Sequence, residues 1–444
     1  MKYAILYYPR TYHERNYRYF YIPYSILSIA TMLDNLIPCR LYDNNVLRCE
    51  DPGNLDLPDP TEWASAWVSA MIGMQIVDAL KFTAFIKSAR PDCPVIWGGA
   101  CPTLLPELVS QEPNIDYVVI GQGEATAKAL WEACAAGECG ARIPGVASFV
   151  DGKFVRAPSR PLVDLNDLPP YWRYFDLVKI EQYVRSDEHI APRTVNYHSS
   201  QGCPFRCGFC CEPVLWSNRW TGLTGQRIVK DIVWLTEVHG VDGIKFYDSE
   251  FFIQKNRVLE FAHEIVRRGL KIRWGASVHP NNLLRFTKEN LRLLKASGIS
   301  RLLVGAETAN AAELRFIQKR LKKSAVRQVA HICADLEVSV SFTFVTGYPG
   351  FPPSHIDETI EFANELTNVS SLHEAKVHFY SPYPGTPLYL TALDFGFNPP
   401  KNLQEWAHYD YYCVNTPWVP EEYFMKVRTF NELHYPYLTE EGTT

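Results

Sequence analysis

Along the first 140 residues, short apolar runs alternate with segments whose apolar positions recur every three or four residues. YAILYY (3–8), CRLYD (39–43), WASAWVSAMIG (63–73), PVIWGG (94–99) and DYVVIG (116–121) have the length and apolar continuity of buried strands. Helical spacing lies between them, in SILSIATMLDN (25–35), VDALKFTAFIKSA (77–89), a stretch from Leu104, and ATAKALWEACAAG (125–137). Strands that alternate with helices predict a parallel, doubly wound sheet. Three successive strand ends carry glycine: Gly73, then Gly98 and Gly99, then Gly121 and Gly123. Ligands of such sheets bind outside the carboxyl ends of the strands, where backbones must come close. Any one of these glycines reads as a helix-entry turn, whereas three consecutive ends favour a ligand crevice.

A second alternating series begins at Thr194, with TVNYHSS (194–200), GIKFYDS (243–249), IRWGASV (272–278), RLLVGAE (301–307), VSFTFVTG (340–347) and AKVHFYSP (375–382). Six strand–helix units predict a (β/α)6 barrel or partial barrel, with its chemistry at the carboxyl ends of the strands. Residues 141–193 read as a connector, with VDGKFV as a small hairpin and a Pro-rich extended stretch after it. The predicted class is α/β: an N-terminal sheet domain over 1–140, a connector over 141–193, a partial barrel over 194–397 and a small α-rich cap over 398–444. Two aromatic stretches, YYPRTYHERNYRYFYIPY and EWAHYDYYCVNTPW, read either as packing between domains or as lining of a flat, apolar pocket.

Composition narrows the function classes. A length of 444 residues exceeds one hydrophobic core, and the net charge of −5 provides no basic footprint for nucleic acid. No apolar run approaches the ~20 residues of a membrane span, and the first residues lack the pattern of a signal peptide. The expected location is therefore cytoplasmic, where the twelve cysteines are reduced thiols.

Four of those cysteines fall in GCPFRCGFCCEP (202–213), directly after the first strand of the second series. Structural zinc usually takes two Cys-x2-Cys knuckles or cysteine–histidine pairs, and here one such pair stands alone. Three thiolates on one loop, Cys203-x3-Cys207-x2-Cys210, can instead hold three corners of a cubane iron–sulfur cluster with its fourth iron open. The surplus thiol, Cys211, is expected to point away from Cys210 as a small buried side chain.

With Phe209 before the last cysteine, this loop resembles the hallmark of the radical S-adenosylmethionine (SAM) enzymes. The preceding domain, with GMQIVDALKFTAFIKSARPDCPVIWGGACPTLLPE and VVIGQGEAT, is similar to the Rossmann-like cobalamin-binding domain found ahead of many of them. The resemblance implies that Cys203, Cys207 and Cys210 ligate a 4Fe-4S cluster, and that SAM chelates the open iron. It implies SAM contacts from Phe209, from Tyr247, Asp248, Ser249 and Glu250 after the second barrel strand, from Glu307 after the fourth, and from Gly347 after the fifth. His279 stands where similar proteins often place an arginine. For cobalamin it implies Met71, Ile72, Gly73, Met74, Gln75, Gly98, Gly99, Pro102, Gly121, Gly123 and Glu124.

The implied activity is cleavage of SAM to a 5′-deoxyadenosyl radical and methylation, through methylcobalamin, of an unactivated carbon or phosphorus of a small-molecule substrate. An external flavodoxin- or ferredoxin-like protein would donate the electron. The same architecture could catalyse a cyclisation or rearrangement without methyl transfer, and a cobalamin or iron–sulfur sensor would be a non-enzymatic alternative. Many cobalamin-binding proteins carry Asp-x-His-x-x-Gly to ligate cobalt from below. Residues 1–150 lack that motif and contain one histidine, His13.

Overall fold

The computed structural model describes residues 1–11, 21–409 and 416–434; His13, the middle of the first aromatic stretch and residues 410–415 lie outside them. The chain forms two compact units. The first comprises Met1–Tyr183 with Val214–Ser217 and Pro400–Asp410, and the second comprises Val184–Pro213, Asn218–Pro399 and Tyr411–Thr444. Among the described residues, no helix is long and apolar enough to cross a membrane.

Every strand predicted for the first unit forms: β1 (Tyr3–Tyr8), β2 (Cys39–Asp43), β3 (Trp63–Ser69), β4 (Val95–Gly98) and β5 (Tyr117–Val119). They pair in parallel in the order β2-β1-β3-β4-β5. Ala4, Leu6, Trp67 and Ile96 join Ile26, Ala30 and Leu33 of the helix Tyr24–Leu33 in one buried cluster. The helix expected from Leu104 is two short ones, Ala100–Leu104 and Pro106–Ser110. Pro106 breaks them, because its ring forces the preceding residue out of helical geometry.

The hairpin β6 (Val146–Val150) and β7 (Lys153–Arg156) does not belong to a linker. It pairs antiparallel onto β5 and makes the sheet seven-stranded. The stretch after it is also integral. Tyr171 lies 5.0 Å from the Tyr24 ring, and the Tyr183 hydroxyl donates to the buried Asp43 carboxylate at 2.8 Å. The N-terminal unit therefore runs to Tyr183 rather than residue 140. The predicted C-terminal cap is divided as well: the helix Leu403–Ala407 packs on Gln75–Ala89 in the first unit, whereas Glu421–His434 belongs to the second.

In the second unit all six predicted strands appear: β8 (Thr194–Tyr197), β11 (Gly243–Phe246), β12 (Arg273–Val278), β13 (Ile299–Glu307), β14 (Ser339–Thr346) and β15 (His373–Phe379). A short hairpin, β9 (Ser200–Gly202) with β10 (Trp220–Gly222), follows β8. The six long strands are parallel and add one after another, with β8 and β15 left as edges, the winding of an open (β/α)6 half-barrel.

One face of that sheet is the core. Leu302, Val304, Ala306, Val340, Phe342, Phe344, Ala375 and Val377 are fully buried, with Lys323–Asp335 and Ser354–Thr367 packed on β14. The opposite parity carries Leu303, Gly305, Thr343, Val345, Lys376 and His378, all partly open. Leu303 is 42% exposed in the middle of a central strand, so among the described residues no layer covers it there.

Candidate active site

The cysteine loop runs from the end of β9 to the helix Glu212–Trp216, at the carboxyl end of β8. The segments that follow the other five strands all meet it or the strand end that leads into it. The Gly208 amide donates to the Ile317 carbonyl at 2.8 Å, after β13, and the Gly208 carbonyl accepts from the Leu388 amide at 3.1 Å, after β15. The Phe205 ring lies 4.7 Å from His279, after β12, and Phe209 lies 6.2 Å from Tyr348, after β14. After β11, Asp248 accepts from the Ser199 amide at 2.7 Å and from the Ser199 and Ser200 hydroxyls at 2.6 Å each.

Cys203, Cys207 and Cys210 are free thiols. Burial, with a smaller contribution from neighbouring thiols and carboxylates, pushes Cys203 up to about 12 and Cys207 up to about 11. All three lie on the one short loop between β9 and the helix Glu212–Trp216. Among the described residues, no three His, Cys, Asp or Glu side chains converge on a single metal ion. The donor set suits a group that spans the loop and deprotonates its ligands. Cys211 does not point away from its neighbour. Its sulfur hydrogen-bonds that of Cys210, an interaction that raises Cys210 and lowers Cys211.

Asp248 is committed to structure. Besides the two serines it faces Arg257 at 3.5 Å, with side chains 0% and 4% exposed. The guanidinium also donates to the Leu223 carbonyl at 2.6 Å and the Phe251 carbonyl at 3.0 Å. Arg257 had a signal in the sequence: it shares a helical stripe with the buried Phe261 and Ile265, where a cation requires a buried anion. Glu250 is similarly engaged, accepting from Phe252 N, Asn282 Nδ2 and His279 N. Burial pushes its carboxyl up to about 7. His279 caps Pro280–Leu283, and burial drives its ring down to about 3, so it is neutral. Tyr247 is half-buried and stacks on His198, while Ser249 is exposed.

Glu307 sits at φ 62°, where the register between β13 and β14 shifts. Such a bulge re-aims a side chain, and here it turns the carboxylate to Lys319 at 2.6 Å, both ends nearly buried. Gly305 makes room for the pair, since a Cβ there would lie 2.5 Å from Glu307 Oε1. Burial alone would lower Lys319, but Glu307 and the Cys207 thiol hold it above its ordinary value. Lys319 was not legible from sequence because it lies in a basic run, RFIQKRLKK, that reads as a solvated face. Three hydroxyls at the ends of β14 and β15, those of Thr346, Tyr348 and Ser381, are buried with no partner among the described residues. Buried hydroxyls of this kind call for a bound polar molecule. Gly347, between two of them, holds φ 71°, and its carbonyl accepts from Trp418 Nε1 at 2.8 Å.

The first unit has its own candidate site at the carboxyl ends of β3, β4 and β5. Gly99 at φ 101° lets two strand ends cross, because a Cβ there would stand 2.8 Å from the Ala70 carbonyl. The rim loop leaves Met71 55% exposed, and Ile72, Met74, Gly98, Gly99, Gly121 and Gly123 are half-buried, with Gly73 buried among them. Pro102 and Glu124 are buried at the starts of the helices Ala100–Leu104 and Glu124–Ala135. Gln75 faces inward. It accepts from the Met71 amide at 2.9 Å and donates to the Pro9 carbonyl at 3.0 Å, so its side chain braces the rim.

Two family models match the chain, the radical SAM superfamily over residues 197–363 and the B12 binding domain over 66–131. An uncharacterised methyltransferase of Pyrococcus horikoshii is 30% identical over 317 residues, 71% of this chain and 66% of the relative. The anaerobic magnesium-protoporphyrin IX monomethyl ester cyclase of a Synechocystis strain is 27% identical over 60% of this chain and 52% of its own length. The chain thus spans at most about two thirds of these relatives. Among solved structures, the radical SAM methyltransferase TsrM of Kitasatospora setae, with cobalamin and a [4Fe-4S] cluster bound, shares the fold. Its TM-score is 0.70 at 18% identity, covering 89% of this chain and 75% of that one.

Proposed function

Because this chain belongs to the radical SAM superfamily and carries a B12-binding domain, we propose that it methylates an unactivated carbon or a phosphorus centre of a small molecule. The observation that carries the reading is the loop of Cys203, Cys207 and Cys210, locked across the carboxyl ends of parallel strands that enclose an open, polar inner face. When bound, the cluster supplies the electron for reductive cleavage of SAM, and cobalamin carries the methyl group.

The chain's own residues bind, orient and exclude water. Three thiolates hold the cluster. The Glu307–Lys319 pair offers one acceptor and one cation to a molecule that carries an ammonium and a carboxylate, as the methionine half of SAM does. The hydroxyls of Thr346, Tyr348 and Ser381 and the ring of Phe209 are available to its nucleoside half. Tyr247 and Ser249 contribute through the loop whose shape Asp248 and Glu250 maintain, and His279 acts as a neutral wall behind Phe205. The substrate occupies the inner face around Leu303, Thr343, Lys376 and His378. The glycine-lined rim of the first unit, with Met71, Ile72 and Met74, would hold the cobalamin.

Incubation of the reduced, loaded protein with SAM and cell extract, followed by product mass, tests the proposal. A gain of one CH2 unit supports methyl transfer. Loss of hydrogen without added carbon would instead make the chain a cyclising enzyme, the reaction named for the cyanobacterial relative.

Glu307→Gln is expected to leave iron content unchanged and to weaken SAM binding roughly tenfold to a hundredfold, the usual effect of losing a buried hydrogen bond to a charged group. Equilibrium titration with SAM checks it, and an unchanged isotherm would remove Glu307 from the site. For cobalt, Gln75 is turned into the protein, so among the described residues of the rim loop 70–75 no side-chain nitrogen is offered below the metal. The Co(II) form is expected to lack three-line nitrogen splitting in its paramagnetic resonance spectrum. Observing that splitting would show a nitrogen ligand and contradict the assignment of an apolar lower face.

A further inference from the structure

The inner face of the second unit carries a charge pattern that the fold does not require. Across β13, β14 and β15 the register sets Gly305, Thr343 and Lys376 side by side in one row. Leu303, Ser341 and Glu374 form the row below, and Arg301 with Ser339 lies below that. Arg301 hydrogen-bonds Glu374, which His189 also faces at 3.7 Å. On β11, Lys245 faces Asp187 at 3.5 Å. Both carboxylates are thus matched by cations before Lys376 is counted. Among the described residues, Lys245, Arg301 and Lys376 outnumber Asp187 and Glu374 and leave this face positive.

Two further observations point to a ligand. Arg301 Nη1 is buried with no hydrogen-bond partner among the described residues, although Nη2 is held by Glu374. A buried donor of this kind calls for an acceptor on a bound molecule. Lys376 is half-buried, and burial pulls its ammonium down to about 8 against the opposing influence of Glu374. It stays charged at pH 7 but short of solvation, a state that a bound anion relieves. His378, one step along the same face of β15, is driven down to about 3 by burial and by Lys376, so its ring is neutral. The rest of the wall is apolar or aromatic. Leu303 is 42% exposed, and the rings of Tyr247 and His198 stack 6.1 Å apart on the side of β11 and β8. A lysine on an outer surface would be ordinary solvation, whereas Lys376 lies inside the half-barrel. Its row runs two strand spacings, roughly 10 Å, to Gly305, against which the Glu307–Lys319 pair packs. We propose that the small molecule this chain acts on carries an anionic group, a carboxylate or a phosphate ester, which binds Lys376 above the spare donor of Arg301, with an apolar body against Leu303. The inference deepens the radical SAM reading of this site and rests on it.

The test uses the full-length, cluster-loaded protein with S-adenosylhomocysteine at saturation, so that the cosubstrate site is filled. Phenyl phosphate and phenylacetate are titrated calorimetrically as anionic probes, beside neutral phenylacetamide and cationic phenethylamine. At least one anion is expected to bind, and to bind more tightly than the amide or the amine. Lys376→Met is expected to weaken that anion roughly tenfold to a hundredfold, the usual effect of losing a buried hydrogen bond to a charged group. Lys376→Arg should restore most of the affinity, and iron content checks that both variants are folded and loaded. The two anions separate phosphate from carboxylate recognition. In cell extract, the compound that is modified should be held by an anion-exchange resin. Failure of both anions to bind wild type, equal affinity in Lys376→Met, tighter binding of the amine, or an acceptor found only in the resin's flow-through would each overturn the proposal. If the reduced wild type forms no 5′-deoxyadenosine from SAM, the functional reading fails instead, and the probe titrations still judge the anion site.

Discussion

Alanine at Cys203, Cys207 or Cys210 is expected to strip the chain of its iron–sulfur cluster, whereas alanine at Cys211 leaves it in place. Each of the three thiols sits on a loop pinned by Gly208 to two other segments, so none can move to cover for a lost neighbour. Cys211 makes the experiment discriminating. Its sulfur touches that of Cys210, so a swap of ligand is geometrically the easiest error for the chain to make. The spacing argues against the swap, because Cys210 follows Cys207 after two residues and Cys211 after three. Iron and sulfide counts after anaerobic reconstitution, with the visible absorbance, decide the matter. Retained iron in Cys210→Ala together with lost iron in Cys211→Ala would transfer the ligand role.

Asp248→Ala is expected to destabilise the second unit by about 3–5 kcal/mol, the cost of leaving a buried charge without its partner. The pair qualifies because both side chains are essentially closed to solvent. The loss should extend beyond the ion pair, because the same carboxylate holds Ser199 and Ser200 at the entry to the cysteine loop. Cluster loading should therefore fall along with stability, in contrast to Glu307→Gln, which should lose SAM and keep iron. Asp248→Asn keeps an acceptor for the serines and should recover part of the loss. Denaturant midpoints measured on the three proteins test the ranking. An unchanged midpoint in Asp248→Ala would mean that Arg257 finds another partner or that solvent reaches it.

The sequence determined a good deal by itself. All eleven strands read from apolar runs exist, because a buried strand of a parallel sheet must be apolar along most of its length, and that signal is local. The cysteine loop was also legible, since three ligands within eight residues need no tertiary information to be recognised as a set. The hairpin at 146–156 was seen, but its membership in the sheet was not, because pairing onto β5 depends on a free strand edge and no residue announces one.

Only the tertiary structure decided the rest. It placed Asp248 and Glu250 in bracing roles, turned Gln75 away from the rim, and brought Cys211 against Cys210. It also joined Lys319 to Glu307, twelve positions apart on different elements. The physical reason is common to all of these. A motif specifies which chemical groups a loop can offer, but which hydrogen bonds a group has already spent is a property of its neighbours in space.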